Sequence, residues 1–284
     1  MLNMIKADLY RINKNIAFFI AIGLVLLMIG VSVYMVQPGS VGQASVGDIS
    51  TTDYMNDGNG IDDISMEEAK KLSMHDLREM SLNSEGYKFD KNFLAANMNL
   101  YYIFIFVAAI AITVDFSAGS VKNTLSSAIN RKKYFISKTL FVLGMCTLIF
   151  FMNTYVSYFG NLIFNEGKVS SDLWTVTKIS LLQLPPMLTL MSILVGIAFA
   201  FRKTSIFNII AIPLVMVFQL VLNLVVMLFD LSSKIVNFEL QLMIGKLTSE
   251  PSFDYITKSY IYCAVLIIAF LSLGYISFRK SEIK

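Results

Sequence analysis

Hydrophobic and polar positions along this chain separate into long blocks. Six stretches, residues 16–36, 95–114, 139–164, 179–201, 206–229 and 260–278, carry no Asp, Glu, Lys, Arg or His. Crossing about 30 Å of hydrocarbon takes roughly 20 apolar helical residues, so each is long enough to span a bilayer as a helix. Residues 1–15 differ. Leu2, Ile5, Leu9 and Ile12 recur at spacings of three and four, with Lys6, Asn13 and Lys14 mostly opposite. That periodicity predicts an amphipathic helix lying in the membrane interface, and the alternative is a plain extension of the first span. The first apolar run is too long for an ordinary leader, and no small-residue cleavage site follows it, so it reads as a retained anchor.

The polar blocks are unequal. Residues 37–94 form a long insertion that opens with Gly and Ser, passes through turn signals at Asp57-Gly58-Asn59-Gly60, and then shows a capping box at Ser65 and Glu68. A helix is predicted from there through Arg78 to about Ser81. Residues 115–138 form a short loop in which Gly119 ends one helix and Ser120 caps another. Val121, Leu125 and Ile129 give that second helix an apolar stripe. Lys138 is expected to snorkel where the third span begins. Pro185, Pro186 and Pro213 are expected to kink or interrupt the fourth and fifth spans. Residues 231–257 are too short and too charged to cross, and read as an outer re-entrant or interfacial segment.

Composition agrees with this picture. The 284 residues are 56% hydrophobic and 15% charged, with a mean hydropathy of +0.65, well outside the range of soluble domains. Charge then orients the chain. With both termini cytoplasmic, the inside segments hold 13 basic residues against three acidic ones. The Arg131-Lys132-Lys133 loop follows the positive-inside rule. The insertion at 37–94 holds 11 acidic and five basic residues. It serves either to solvate an extracellular domain or to attract a cationic peptide, for which Asp62, Asp63, Glu68 and Glu79 are the candidate contacts.

Catalytic chemistry finds little support. His75 is the only histidine, which excludes His-based metal clusters and Ser-His-Asp triads. The Asp62-Asp63 and Glu67-Glu68 pairs lack the ligand spacing of a calcium loop. No metal site, nucleic-acid partner or enzyme activity is expected. Cys146 and Cys263 lie at different depths, too far apart to pair, and read as small apolar fillers. The sequence contains no G-x-x-x-x-G-K-[ST] phosphate loop. Without intramembrane charges there is also no ion relay.

The segment Asp115…Gly119…Lys122…Leu125…Asn130-Arg131-Lys132-Lys133…Lys138 resembles the stretch after the second helix of ABC-2 type permeases. The order of parts is similar too, from the N-terminal interfacial helix to the outer element before the last span. Asp115 stands where that family commonly has glutamate, and Asn130 where it often has proline. The acidic insertion is similar to extracellular elaborations of bacterial antimicrobial-peptide export and bacteriocin-immunity permeases. The resemblance implies an all-α, six-helix permease subunit of the cell membrane with a cytoplasmic coupling helix and an extracellular insertion. It implies two cytoplasmic ABC ATPase subunits as partners, with ATP and Mg bound there and no cofactor on this chain. A second permease subunit would complete a homo- or heterodimer. Val121, Lys122, Leu125, Ile129 and Arg131 would couple to the ATPase, and an amphipathic or hydrophobic substrate would be exported. The alternative function is an extracellular peptide-sensing or immunity protein that transports little.

Overall fold

The computed structural model describes residues 2–14, 16–36, 94, 97, 100–117, 119, 121–122, 130–164, 172–229, 238–248 and 251–280. Turns 57–60, the capping-box helix, His75, Asp62, Asp63, Glu68, Glu79, Leu125 and Ile129 all lie outside these residues. All regular structure among the described residues is helical.

Helix α1 (Leu2–Asn13) is separate from α2 (Ile16–Val36). On α1 the buried side chain is Asp8, whereas Leu9 and Tyr10 are exposed. Among the side chains described on α1, Ile5 of the predicted apolar stripe packs against the core beside Asp8, and Leu9 of that stripe does not. Helix α2 buries Phe18, Val25 and Ile29, one stripe at spacings of seven and four, and leaves Phe19, Ile20 and Leu27 outside. In water so much exposed apolar surface would be costly, and in a bilayer it is solvated by lipid.

Helix α3 (Leu100–Ser117) contains one π turn, Ala109–Thr113. Helix α4 (Arg131–Phe164) begins eight residues before its apolar run, so Lys132, Lys133 and Lys138 sit on its first turns. Helix α5 (Leu173–Phe201) passes unbroken through Pro185 and Pro186, contrary to an interruption there. Proline 186 has no N–H for the Leu182 carbonyl, and the Tyr260 hydroxyl donates to that oxygen instead at 3.2 Å.

The fifth apolar run is divided at one residue, Val217, which keeps its bonds to the Pro213 carbonyl at 2.8 Å and from the Val221 N–H at 3.0 Å. It forms α6 (Thr204–Met216) and α7 (Phe218–Leu228), separated at Val217, four residues beyond Pro213. The nearby Val215 carbonyl accepts from Gln241 Nε2 at 2.7 Å. That donor belongs to α8 (Leu240–Thr248), the short helix within the predicted outer segment. Helix α9 (Phe253–Lys280) closes the bundle. Helices α3, α4, α5 and α9 are long and apolar enough to cross a membrane.

Helices α5 and α9 pack backbone to backbone. A Cβ on Gly196 would sit 2.6 Å from the Phe270 carbonyl oxygen, and one on Gly274 would sit 2.8 Å from the Gly196 Cα. Small residues at a crossing allow this approach, which van der Waals packing then stabilises without help from water.

Candidate functional site

The loop between α3 and α4, singled out by the sequence, emerges at one end of the bundle. Arg131, Lys132 and Lys133 start α4 there, Arg202 and Lys203 turn α5 into α6, and Arg279 and Lys280 end α9. Gly119 takes φ +67°, a left-handed turn that glycine adopts without steric cost. Arg202, with φ 59°, makes the other reversal at this end.

Beneath this basic rim lies a buried ionic cluster. The Lys138 ammonium contacts Asp8 Oδ1 at 2.6 Å and pairs with Asp115 Oδ2. It also donates to the Ala111 carbonyl at 3.2 Å, in the π turn. The Tyr134 hydroxyl donates to Asp115 Oδ2 at 3.3 Å, and the Lys138 ammonium lies 5.8 Å from the Tyr134 ring centre. Asp8 is 6% exposed, Asp115 3% and Lys138 3%. Lys138 therefore does not snorkel to the surface. Two carboxylates from α1 and α3 draw it inward, offsetting the loss of the solvation that water would otherwise supply. One ammonium thus ties together the N-terminal helix, the end of α3 and the start of α4.

Aromatic rings surround the cluster. Phe116, Tyr134, Phe199 and Phe278, from α3, α4, α5 and α9, meet with ring centres 5.2–6.5 Å apart. Several contacts are edge-to-face, the geometry favoured by the ring quadrupole. Phe135 adds a contact to Phe199 at 4.6 Å.

The residues predicted to couple to a partner fall into different roles here. Val121 is 1% exposed and packs within this chain's own core, so its methyls are already covered. Lys122 is exposed. Arg131 Nη1 donates to the Arg279 carbonyl at 2.9 Å and lies 3.4 Å from the Phe278 carbonyl, holding the last turn of α9. Arg202 likewise reaches the Ser277 carbonyl at 3.4 Å. Partial burial, and then the nearby Arg131 charge, lower the Arg202 guanidinium from its usual value. It stays charged at any physiological pH.

Two features escape sequence reading. The Asp8–Lys138–Asp115 cluster joins residues more than 100 positions apart. The only local signal was a lone lysine at the very start of an apolar run. The second is an uncharged network towards the opposite end. Gln183 Nε2 donates to Thr248 Oγ1 at 2.8 Å and to the Leu94 carbonyl at 3.1 Å. Gln183 Oε1 accepts from Asn97 Nδ2 at 2.8 Å, and Asn153 Nδ2 donates to Asn97 Oδ1 at 2.7 Å. All these side chains are buried. Single amides in apolar runs are too common in membrane helices to mark such a cluster in advance.

Among the described residues no group of three or more His, Cys, Asp or Glu side chains is arranged to hold a metal ion. Cys146 and Cys263 are both buried and free.

Residues 66–279 match a family model described as the C-terminal domain of the multidrug efflux system permease Rv1217c. No curated protein and no solved structure matches the chain. With most of its length matched and four apolar helices of membrane-crossing length, the chain belongs to this efflux-permease family and is a multi-pass membrane protein.

Proposed function

We propose that the chain is the membrane subunit of an ABC exporter of the ABC-2 type. It moves amphipathic or hydrophobic compounds outward, with ATP hydrolysed on two separate cytoplasmic subunits and a second permease completing the pathway. The observation that carries this reading is the efflux-permease match over residues 66–279 in a chain whose sequence has no phosphate loop. Antimicrobial peptides are one substrate class that fits, through the acidic insertion.

In this reading α2, α3, α4, α5, the α6–α7 pair and α9 are the six crossings, and both termini are cytoplasmic. The basic rim favours the inner face. Exposed Trp174, at the start of α5, suits an outer interface where amphipathic rings anchor. The ATPase would seat on the loop between Gly119 and Arg131, through Leu125 and Ile129 rather than the covered Val121. A push on that loop would reach Asp115 and Lys138, and through them α1, α3 and α4. The aromatic cluster would carry it to α5 and α9.

The test is purification of the tagged full-length chain from its own membranes, followed by transport in reconstituted vesicles. A Walker-type ATPase should copurify with the native chain and be lost with Leu125→Asp, since a charge forced into an apolar contact stays buried and unpaired. Vesicles holding the complex should move a lipophilic dye only with ATP. A chain that brings down no ATPase and vesicles that show no ATP-dependent transport would end this reading.

A further inference from the structure

Away from the basic end, α7, the turn before α8 and the first turns of α9 enclose an open cleft of about 510 Å³. That volume lies within the range of small-molecule sites, roughly 300–1,000 Å³. Phe218 and Leu222 of α7, Phe238, and Ile261 and Tyr262 of α9 line it. The Phe238 and Tyr262 rings meet edge to face with centres 6.0 Å apart, a wall that offers π faces.

The polar lining is asymmetric. Glu239 is 6% exposed, and its Oε2 accepts from the Leu242 N–H at 2.8 Å. Burial pushes its carboxyl above the usual carboxylate range, only partly offset by the N–H groups of Leu242 and Gln241. Lys258 also lines the cleft, but its ammonium is held 2.6 Å from Asp254 in an exposed pair. Among the described residues no basic side chain forms an ion pair with Glu239. The N–H groups fix the carboxylate's position without neutralising it. An apolar, aromatic cleft with one buried anion is complementary to a lipophilic cation, whose charge the carboxylate and the ring faces attract together.

We infer that this cleft is a binding site for lipophilic organic cations, in which Glu239 takes the charge and Phe218, Phe238, Ile261 and Tyr262 take the apolar body. The inference rests on the proposal that the chain exports hydrophobic compounds and names one class of them. Its location supports that role. The cleft joins α7, just beyond Val217, to the first turns of α9, so an occupant would touch both helices.

The experiment measures binding by the full-length permease alone, in detergent, with no ATPase present. Failure here is thereby separate from failure of copurification or of ATP-driven transport. The probes are tetraphenylphosphonium and its anionic isostere tetraphenylborate. Glu239→Gln keeps an oxygen for the Leu242 N–H and removes the charge, so it should weaken tetraphenylphosphonium by at least about tenfold and not weaken tetraphenylborate. Ile261→Trp, which fills the cleft, should weaken the cation while leaving the Glu239 carboxylate in place. Lys258→Gln should leave cation affinity unchanged or raise it. Equal cation binding by the native chain and Glu239→Gln would overturn the inference. So would equal loss of both probes in that variant, or full cation affinity in Ile261→Trp.

Discussion

The two ends of this bundle solve the same problem with different chemistry. At the basic end, Asp8, Asp115 and Lys138 join three helices through charge. Towards the other end, Asn97, Asn153, Gln183 and Thr248 join their helices through neutral amides and a hydroxyl. Apolar packing alone discriminates weakly between helices in a bilayer, because lipid tails are as apolar as leucine. Polar pairs add register at both ends. Ions bind more strongly when matched and cost more when separated, whereas amides are cheaper on both counts. The ionic cluster therefore has the larger range between matched and separated states, and the amide network the smaller one.

That contrast predicts a ranking of effects. Lys138→Met should be the most damaging change, because it removes the ammonium shared by two buried carboxylates, and breaking such a cluster costs about 3–5 kcal/mol. Thermal unfolding of the purified chain should show the loss, and adding Asp8→Asn and Asp115→Asn should recover part of it. A triple variant no more stable than Lys138→Met would mean the cluster is not held by charge.

Gly196→Ala should come next. Its Cβ meets the Phe270 carbonyl at 2.6 Å, so α9 must shift, and overpacking of this kind costs about 1–3 kcal/mol. Because Phe199 and Phe278 lie on the same two helices, crosslinking between cysteines placed there should slow as well. Unchanged stability would show that the two helices are not in backbone contact.

Gln183→Leu tests the neutral end. It removes the bonds of Gln183 to Asn97, Thr248 and the Leu94 and Ile244 carbonyls, while Asn97 keeps Thr154 and Asn153, at roughly 1–3 kcal/mol for buried hydrogen bonds lost. Tyr260→Phe should be the mildest, near 0.6 kcal/mol, the mean for a hydrogen bond between membrane helices. A loss above that of Lys138→Met would reverse the comparison between the ends.

Several features were legible in the residues alone. Charge-free runs announced the long helices, and the crowding of Lys and Arg near residues 131–133 announced the end where they gather. Proline was read less well. Pro185-Pro186 was expected to kink or interrupt α5, and it does not interrupt it: Tyr260 from α9 serves one of the carbonyls they free, and the helix is continuous. Pro213 precedes a one-residue division at Val217, which still bonds to the Pro213 carbonyl and to the Val221 N–H, while the nearby Val215 carbonyl is served by Gln241 from α8. A proline's local effect is fixed, but whether a helix survives it depends on donors brought from elsewhere. Lys138 shows the same limit. A lysine at a span's edge has two ways to satisfy its charge, outward to water or inward to acid, and the sequence lists Asp8 and Asp115 without saying that they converge.

What the sequence by itself determined is everything set by short-range physics. That includes the helical class, the membrane environment, the charge asymmetry and the short loop with its glycine. Hydrocarbon penalises every unsatisfied backbone group and every bare charge, so span length and charge exclusion are written locally and survive any packing. Tertiary structure alone decided which partner each surviving polar group found. Lys138 was claimed by α1 and α3, Val121 was covered by its own bundle, and Glu239 was left to line a cleft between α7 and α9. Those outcomes depend on contacts between residues far apart in the chain, and no local pattern of residues encodes such a contact.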